Sequence, residues 1–80
     1  MTTTEKALIK ISQIRAKAKK EQIGATQFEL KTETGLPLGS LLAELNKMAD
    51  DGVVTRHQTV NGTFYKFTNK SFYEGKTIEE

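Results

Sequence analysis

The stretch TQFELKTETGLPLGSLLAELNKMADDG, residues 26–52, carries the signals for two short helices joined by a tight turn. Thr26 stands three residues before Glu29, the spacing at which the two side chains cap a helix reciprocally. We expect that helix to end just before Gly35, which can adopt the left-handed conformation found at helix ends, and we expect Pro37 to open the next helix. The sequence therefore predicts two consecutive helices separated by three or four residues.

The second of these helices has a clear apolar stripe. Its apolar residues recur at spacings of three and four, and they are Leu38, Leu41, Leu42, Leu45, Met48 and Ala49. This spacing places them along one side of a helix that ends at Gly52. In a chain with few other large apolar residues to bury, the stripe predicts the main core-forming surface.

The N-terminal segment is also predicted to form a helix, the first along the chain. Thr2 and Glu5 have the spacing of a capping box. The stripe that follows consists of Leu8, Ile11, Ile14, Arg15 and Ala18. Residues 21–25, EQIGA, are predicted to form a short strand that pairs with a later part of the chain.

A β-hairpin is predicted after Gly52. The segment VVTRHQT is rich in β-branched residues, and TFYKFT follows it after Asn61 and Gly62, the dipeptide most typical of a two-residue hairpin loop. With that pair as the loop, Val60 lies opposite Thr63, and Arg56 lies opposite Phe67. The face that covers the helices then consists of Val54, Tyr65 and Phe67.

The composition limits the functions to be considered. The chain has 80 residues, 36% of them apolar, with one histidine and no cysteine. One small domain fits this length, and a disulfide framework, a thiolate zinc site and a nucleophilic triad are excluded. We expect no metal, no cofactor and no enzyme activity. No apolar run is long enough to span a membrane and no signal peptide is recognisable, so a cytoplasmic protein is expected.

Charge is distributed unevenly along the chain. Residues 1–20 carry six Lys and Arg against one Glu, a net charge of +5, whereas residues 21–54 carry two Lys against six acids, a net charge of −4. Residues 55–70 have a net charge of +3. The lysines of the first helix either form a solvated face or contact phosphates.

The order helix, short strand, helix, turn, helix and hairpin resembles the winged helix-turn-helix family over residues 5–68. The features that carry the resemblance are Gly35-Leu36 in the turn, Leu41 and Leu45 in the third helix, and Gly52-Val53-Val54 before the wing. The resemblance implies an α+β fold with three helices and a C-terminal two- or three-stranded antiparallel wing. The domain is expected to cover residues 1–70, followed by a partly flexible tail, residues 71–80.

The resemblance also implies binding to double-stranded DNA, with the third helix in the major groove and the wing on the backbone or in the minor groove. The residues expected to contact DNA are Gly39, Ser40, Ala43, Lys47, Arg56, His57, Thr59, Asn61, Thr63 and Lys66. Glu44 is also expected on the groove-facing side, where it would repel phosphates unless it accepts a hydrogen bond from a cytosine amino group. No Arg, Asn or Gln stands in the first two turns of that helix, so no bidentate reader of bases is evident there.

Two functions follow as hypotheses. The first is a small DNA-binding protein, either a transcription regulator or an accessory factor of a mobile element, that acts as a homodimer and is nucleoid-associated within the cytoplasm. The second is a winged helix that binds a protein partner and not DNA. Leu38 and Phe72 could contribute an apolar docking patch for such a partner.

Overall fold

A computed structural model describes residues 2–77 and shows an α+β domain with a winged-helix layout. Helices α1, α2 and α3 span Thr3–Lys17, Gln27–Thr34 and Leu38–Asp50. Strands β1, β2 and β3 span Ala25–Thr26, Val54–Thr59 and Gly62–Phe67, and they form one antiparallel sheet in the order β1-β3-β2. The predicted fold class is confirmed, with three strands in the sheet.

The helix boundaries follow from local capping chemistry. Thr26 accepts a hydrogen bond from the backbone N–H of Glu29 (3.1 Å), and the Glu29 carboxylate accepts one from the N–H of Thr26 (2.9 Å). Gly35 ends α2 with φ of +68°, a conformation that costs glycine little. Pro37 immediately precedes α3. Residues 26–37 therefore adopt the predicted helix, turn and helix start.

The core lies between the three helices and one face of the sheet. Its buried apolar side chains are Ala7, Leu8, Ile9, Ala25, Leu30, Leu41, Leu45, Met48, Val54, Tyr65 and Phe67. Leu41, Leu45 and Met48 of the predicted α3 stripe are buried, whereas Leu38 is 42% exposed. In α1 the predicted stripe is displaced, because Ile14 is 59% exposed and the buried side includes Ile9. Thr4 and Ser12 also lie on that buried side, and polar residues of this kind are not detected by apolar periodicity.

Ser12 places an unpaired hydroxyl in the core. Its side chain is fully buried, and its Oγ atom has no hydrogen-bond partner. An unpaired buried hydroxyl costs stability because it loses its hydrogen bonds to water. We expect Ser12→Ala to raise the free energy of unfolding by about 1 kcal/mol, which corresponds to roughly 4–8 °C in the melting temperature of a domain this small. Thermal unfolding monitored by circular dichroism measures the shift, and a lower melting temperature would contradict the expectation.

The hairpin register differs from the predicted one by two residues. Thr59 pairs with Gly62, and Arg56 pairs with Tyr65 instead of Phe67, so the loop residues are Val60 and Asn61. Gly62 has φ of +113°, and Lys19 is the single non-glycine residue with positive φ among residues 2–77. The loop is therefore not the type I′ turn that favours Asn-Gly, since that turn needs positive φ at both central residues.

Hydrogen bonds from one threonine hold this loop. The Thr59 hydroxyl accepts a hydrogen bond from the backbone N–H of Asn61 (3.2 Å) and donates one to the carbonyl oxygen of Gly62 (2.7 Å). A shift of two residues preserves the alternation of side chains along a strand. Val54, Tyr65 and Phe67 consequently still share the buried face, as predicted.

The short strand β1 connects the helices to the sheet. Ala25 pairs with Tyr65 and Thr26 pairs with Phe64, so the predicted short strand is present but lies later than residues 21–25, with only Ala25 inside that range. Gly24 approaches β3 so closely that a Cβ atom at this position would lie 2.8 Å from Cζ of Phe64 and would also overlap the carbonyl oxygen of Tyr65. A residue without a side chain is required here for β1 to reach β3.

The chain after β3 folds back onto the domain. A short 3₁₀ helix, Lys70–Phe72, brings Phe72 into a stacked contact with Phe67 (ring centroids 5.9 Å apart), and Tyr73 lies 6.0 Å from the same ring. Gln13 of α1 donates hydrogen bonds to the carbonyl oxygens of Tyr73 (2.7 Å) and Lys76 (2.6 Å). Of the tail that was expected to be partly flexible, residues 71–80, the last three lie outside the described residues.

None of the helices within residues 2–77 is long and apolar enough to cross a bilayer.

Candidate nucleic-acid interface

Helix α3 presents a continuous exposed side opposite its buried stripe. Gly39, Ser40, Ala43 and Lys47 are all exposed. They lie on that side because the buried residues Leu41, Leu45 and Met48 fix the orientation of the helix. The structure thus brings together the four α3 residues that the sequence predicted for DNA contact.

Glu44 does not belong to this exposed side, contrary to the expectation from sequence. Its carboxylate is half-buried and accepts a hydrogen bond from the buried hydroxyl of Thr4 in α1. The residue lies at the edge of α3 that packs against α1. Its negative charge is therefore directed toward α1 and not toward a ligand beside Ala43 and Lys47.

The two carboxylates of α2 are likewise paired with α1. Arg15 forms a two-pronged ion pair with Glu29 and also donates a hydrogen bond to the carbonyl oxygen of Gly24. Lys10 pairs with Glu33 at 3.0 Å. The hydrogen bond from Arg15 lowers the pKa of the Glu29 carboxyl, and the bond from the Thr26 N–H acts in the same direction. These contacts direct three of the six acids of residues 21–54 toward α1, whereas Asp50 remains exposed on the same side of α3 as Lys47.

Arg56 links the wing to the exposed side of α3. Its Nη1 atom donates a hydrogen bond of 2.8 Å to Oδ1 of Asn46, the residue that precedes Lys47. Arg56 also lies close to Tyr65, where burial raises the pKa of the phenol and the positive charge of Arg56 opposes that rise. The cations of Arg56 and Lys47 are thus attached to neighbouring parts of one surface.

The other predicted wing residues are divided between the two faces of the hairpin and its tip. His57, Thr59 and Lys66 lie on the outer face, where Nε2 of His57 is 3.0 Å from the Thr55 hydroxyl. Thr63 lies on the inner face, with Arg56, and its hydroxyl donates to Oε1 of Gln58 (3.2 Å). Asn61 is at the tip. A single flat surface cannot contact both faces of the hairpin at once.

An open groove of about 370 Å³ lies where the first turns of α2 and α3 meet the tip of the hairpin. We call it the wing groove; it is lined by Gln27, Phe28, Lys31, Leu38, Gln58, Asn61, Gly62 and Thr63. Its position follows from the pairing of Thr26 with Phe64, because α2 then begins directly beside Thr63 and Gly62. Phe28 is 76% exposed.

Compared with known proteins, the chain matches no family model, no curated protein and no solved structure.

Sequence reasoning missed the wing groove. Gln27 and Phe28 belong to α2, and Gln58 belongs to β2, so the groove depends on contacts between segments about thirty residues apart. One local signal was present in the sequence. Phe28 and Leu30 are two residues apart in α2, so they lie on opposite sides of the helix, and Leu30 is the one that is buried. The exposure of Phe28 could have been anticipated from that position on the helix.

Proposed function

We propose that this domain binds double-stranded DNA, with α3 in the major groove and the β2–β3 hairpin against the adjacent backbone or minor groove. The observation that carries the proposal is the orientation of the acidic side chains. Glu29, Glu33 and Glu44 all pair with α1, so the exposed side of α3 can approach phosphates without their charges intervening. The other two acids near α3 are Asp50, its last residue, and Asp51, which follows it.

The exposed residues of α3 suit different parts of a duplex. The hydroxyl of Ser40 can donate to a phosphate or a base edge, and the ammonium group of Lys47 can neutralise a phosphate. Gly39 and Ala43 are small enough to allow close approach, and a methyl group such as that of Ala43 can contact thymine. Arg56, held by Asn46, retains further N–H donors for a phosphate beside the wing.

We expect Lys47→Ala and Arg56→Ala each to weaken binding to a 20-base-pair duplex of mixed sequence, because each removes one phosphate contact. The slope of log K against log salt should fall in magnitude by about 0.9 per variant. Fluorescence anisotropy between 50 and 200 mM NaCl measures both quantities. Absence of binding by the unmodified protein at 50 mM NaCl would overturn the proposal, because the phosphate contribution is strongest at low salt.

Lys17→Ala is the control for these two variants, since it removes the same charge from an exposed position in α1. The proposal places α3 and the hairpin on DNA, so Lys17→Ala should change the affinity less than twofold. A loss equal to that of Lys47→Ala would assign a phosphate contact to α1 and would revise the orientation on the duplex.

We further propose that the biological role is transcription regulation or an accessory function of a mobile element. A domain of this size covers only a short site, so two copies on a pseudo-palindromic sequence would supply the affinity. Sedimentation of the protein with a selected duplex tests this stoichiometry, because a complex of one copy per duplex would contradict it.

A protein-binding role is the second candidate, and the exposed apolar residues favour it. Phe28, Leu38 and Val60 are 76%, 42% and 101% exposed, and exposed apolar patches often mark interaction surfaces. A stoichiometric protein complex that survives charge reversal at both Lys47 and Arg56 but is lost with Phe28→Glu would support this role. If Phe28→Glu still binds that protein partner, the exposed apolar residues are not its docking surface.

A further inference from the structure

The wing groove combines amide groups with exposed apolar side chains. Gln27, Gln58 and Asn61 supply three amides from α2, β2 and the hairpin tip. Asn and Gln side chains can donate to N7 and accept from N6–H of adenine at the same time, which makes them readers of that base in the major groove. The amides that are missing from the first two turns of α3 are therefore present beside its first residue.

Gln27 is better placed than Gln58 to act as a two-point reader. Oε1 of Gln58 already accepts a hydrogen bond from the Thr63 hydroxyl (3.2 Å), so that amide is oriented and its Nε2 group is the part directed away from Thr63. Gln27 is the first residue of α2, directly after its capping residue Thr26. Both its amide oxygen and its amide nitrogen are available for the donor and acceptor edge of one base.

Phe28 and Leu38 supply an apolar surface next to these amides. Both side chains line the groove and both are exposed. The C5-methyl group of thymine is the apolar feature of the major groove, and apolar side chains contact it. An A·T pair would thus meet an amide at its adenine and an apolar surface at its thymine.

The charge of the groove also suits DNA. Lys31 lies at its edge, and no acidic residue is found among the described residues that line it. The α2 acids Glu29 and Glu33 are paired with Arg15 and Lys10 on another side of that helix. A phosphate backbone can therefore approach the groove without a nearby carboxylate.

We infer that the wall of the wing groove formed by α2 and the start of α3 enters the major groove, while the hairpin wall stays on the backbone, and that this helical wall selects an A·T base pair, with Gln27 as the main reader of adenine. This inference rests on the proposed DNA-binding function. It divides the interface in two: Lys47 and Arg56 supply affinity for any duplex, and the groove supplies sequence preference.

Selection from a library of randomised duplexes, with the full chain and with Gln27→Ala, tests the inference. The unmodified protein should enrich an A·T pair at one position over the other base pairs by about 5- to 150-fold, the range for a bidentate contact. Gln27→Ala should lose that preference and keep its affinity for unselected duplexes at 50 mM NaCl within about twofold. Lys47→Ala is the matched control, which should lower affinity for all sequences and keep the preference.

The outcomes separate this inference from the proposed function. If the protein binds duplexes but Gln27→Ala enriches the same sequences as the unmodified chain, the inference is wrong and DNA binding stands. If no duplex binds at 50 mM NaCl, the proposed function fails and the inference fails with it. If Phe28→Glu loses a protein partner but selects the same duplexes as the unmodified chain, the groove binds that partner and not DNA. This result would also overturn the inference.

Discussion

Gly24→Ala is expected to lower the free energy of unfolding by about 3 kcal/mol, the upper end of the range for overpacking a tight site. The added Cβ would overlap the carbonyl oxygen of Tyr65 and would lie 2.8 Å from the Phe64 ring. The carbonyl belongs to the backbone of the central strand, so it cannot move aside without disrupting the β1–β3 pairing. Urea denaturation monitored by circular dichroism measures the change.

Gly39→Ala is the matched control, because Gly39 lies within α3 and a Cβ there would meet no atom within 4 Å. Alanine is the better helix former, so this variant should be more stable than the unmodified chain by about 0.5–1 kcal/mol. The same change from glycine to alanine should therefore lower the free energy of unfolding at residue 24 and raise it at residue 39. Equal effects of the two substitutions would show that Gly24 is not constrained by β3.

Glu29→Gln is expected to destabilise the domain by about 1.5 kcal/mol at pH 7, the lower end of the range for hydrogen bonds to charged groups. The carboxylate pairs with Arg15 and accepts a hydrogen bond from the Thr26 N–H. Glutamine can still accept the hydrogen bond at the cap, so the change removes the charged contact with Arg15. Part of the ion-pair contribution is screened, because the Glu29 side chain is 37% exposed. Thermal unfolding of the variant and the unmodified chain at pH 7 measures the difference.

The effect of Glu29→Gln on stability should depend on pH. The Glu29 pKa is lowered below 4.5 in the folded state, so the folded chain holds this proton less tightly than the unfolded chain. The stabilisation is present above about pH 4.5 and is lost as the pH falls through the lowered pKa. The difference between Glu29→Gln and the unmodified chain should therefore shrink toward pH 3, and a difference that is independent of pH would contradict this account.

Glu33→Gln provides the control for Glu29→Gln. Glu33 also pairs with an α1 cation, Lys10, but the pair is about 40% exposed on both sides and caps no helix. We expect a cost below about 0.5 kcal/mol, as for other surface pairs. Equal costs at the two positions would show that the Arg15–Glu29 pair contributes no more than an exposed surface pair.

Local chemistry made the helical part of the fold predictable from sequence. The Thr26–Glu29 box, the left-handed Gly35 and the α3 stripe involve residues within four positions of one another, and their geometry depends little on the rest of the chain. The hairpin register was less predictable. Asn61-Gly62 favours a type I′ loop, but the observed loop begins at Val60, and Gly62 supplies the positive φ one residue later.

The candidate site was predictable only in part, because its organisation depends on distant contacts. The exposure of Ser40, Ala43 and Lys47 follows from the apolar stripe of their own helix. The hydrogen bond that holds the Glu44 carboxylate comes from Thr4, forty residues earlier, and the sequence does not reveal that partner. The wing groove similarly requires knowledge that the start of α2 lies beside the hairpin tip.

Thr26 combines two roles that together determine the width of the wing groove. It pairs with Phe64 in the sheet and caps α2, so one residue holds the wall formed by α2 at a fixed separation from the wall formed by the hairpin. A substitution at residues 24–26 that displaced β1 would alter this separation without replacing any side chain that lines the groove. Under the proposed reading of A·T pairs, a change in sequence preference would then arise from a strand of two residues that contributes no side chain to the groove.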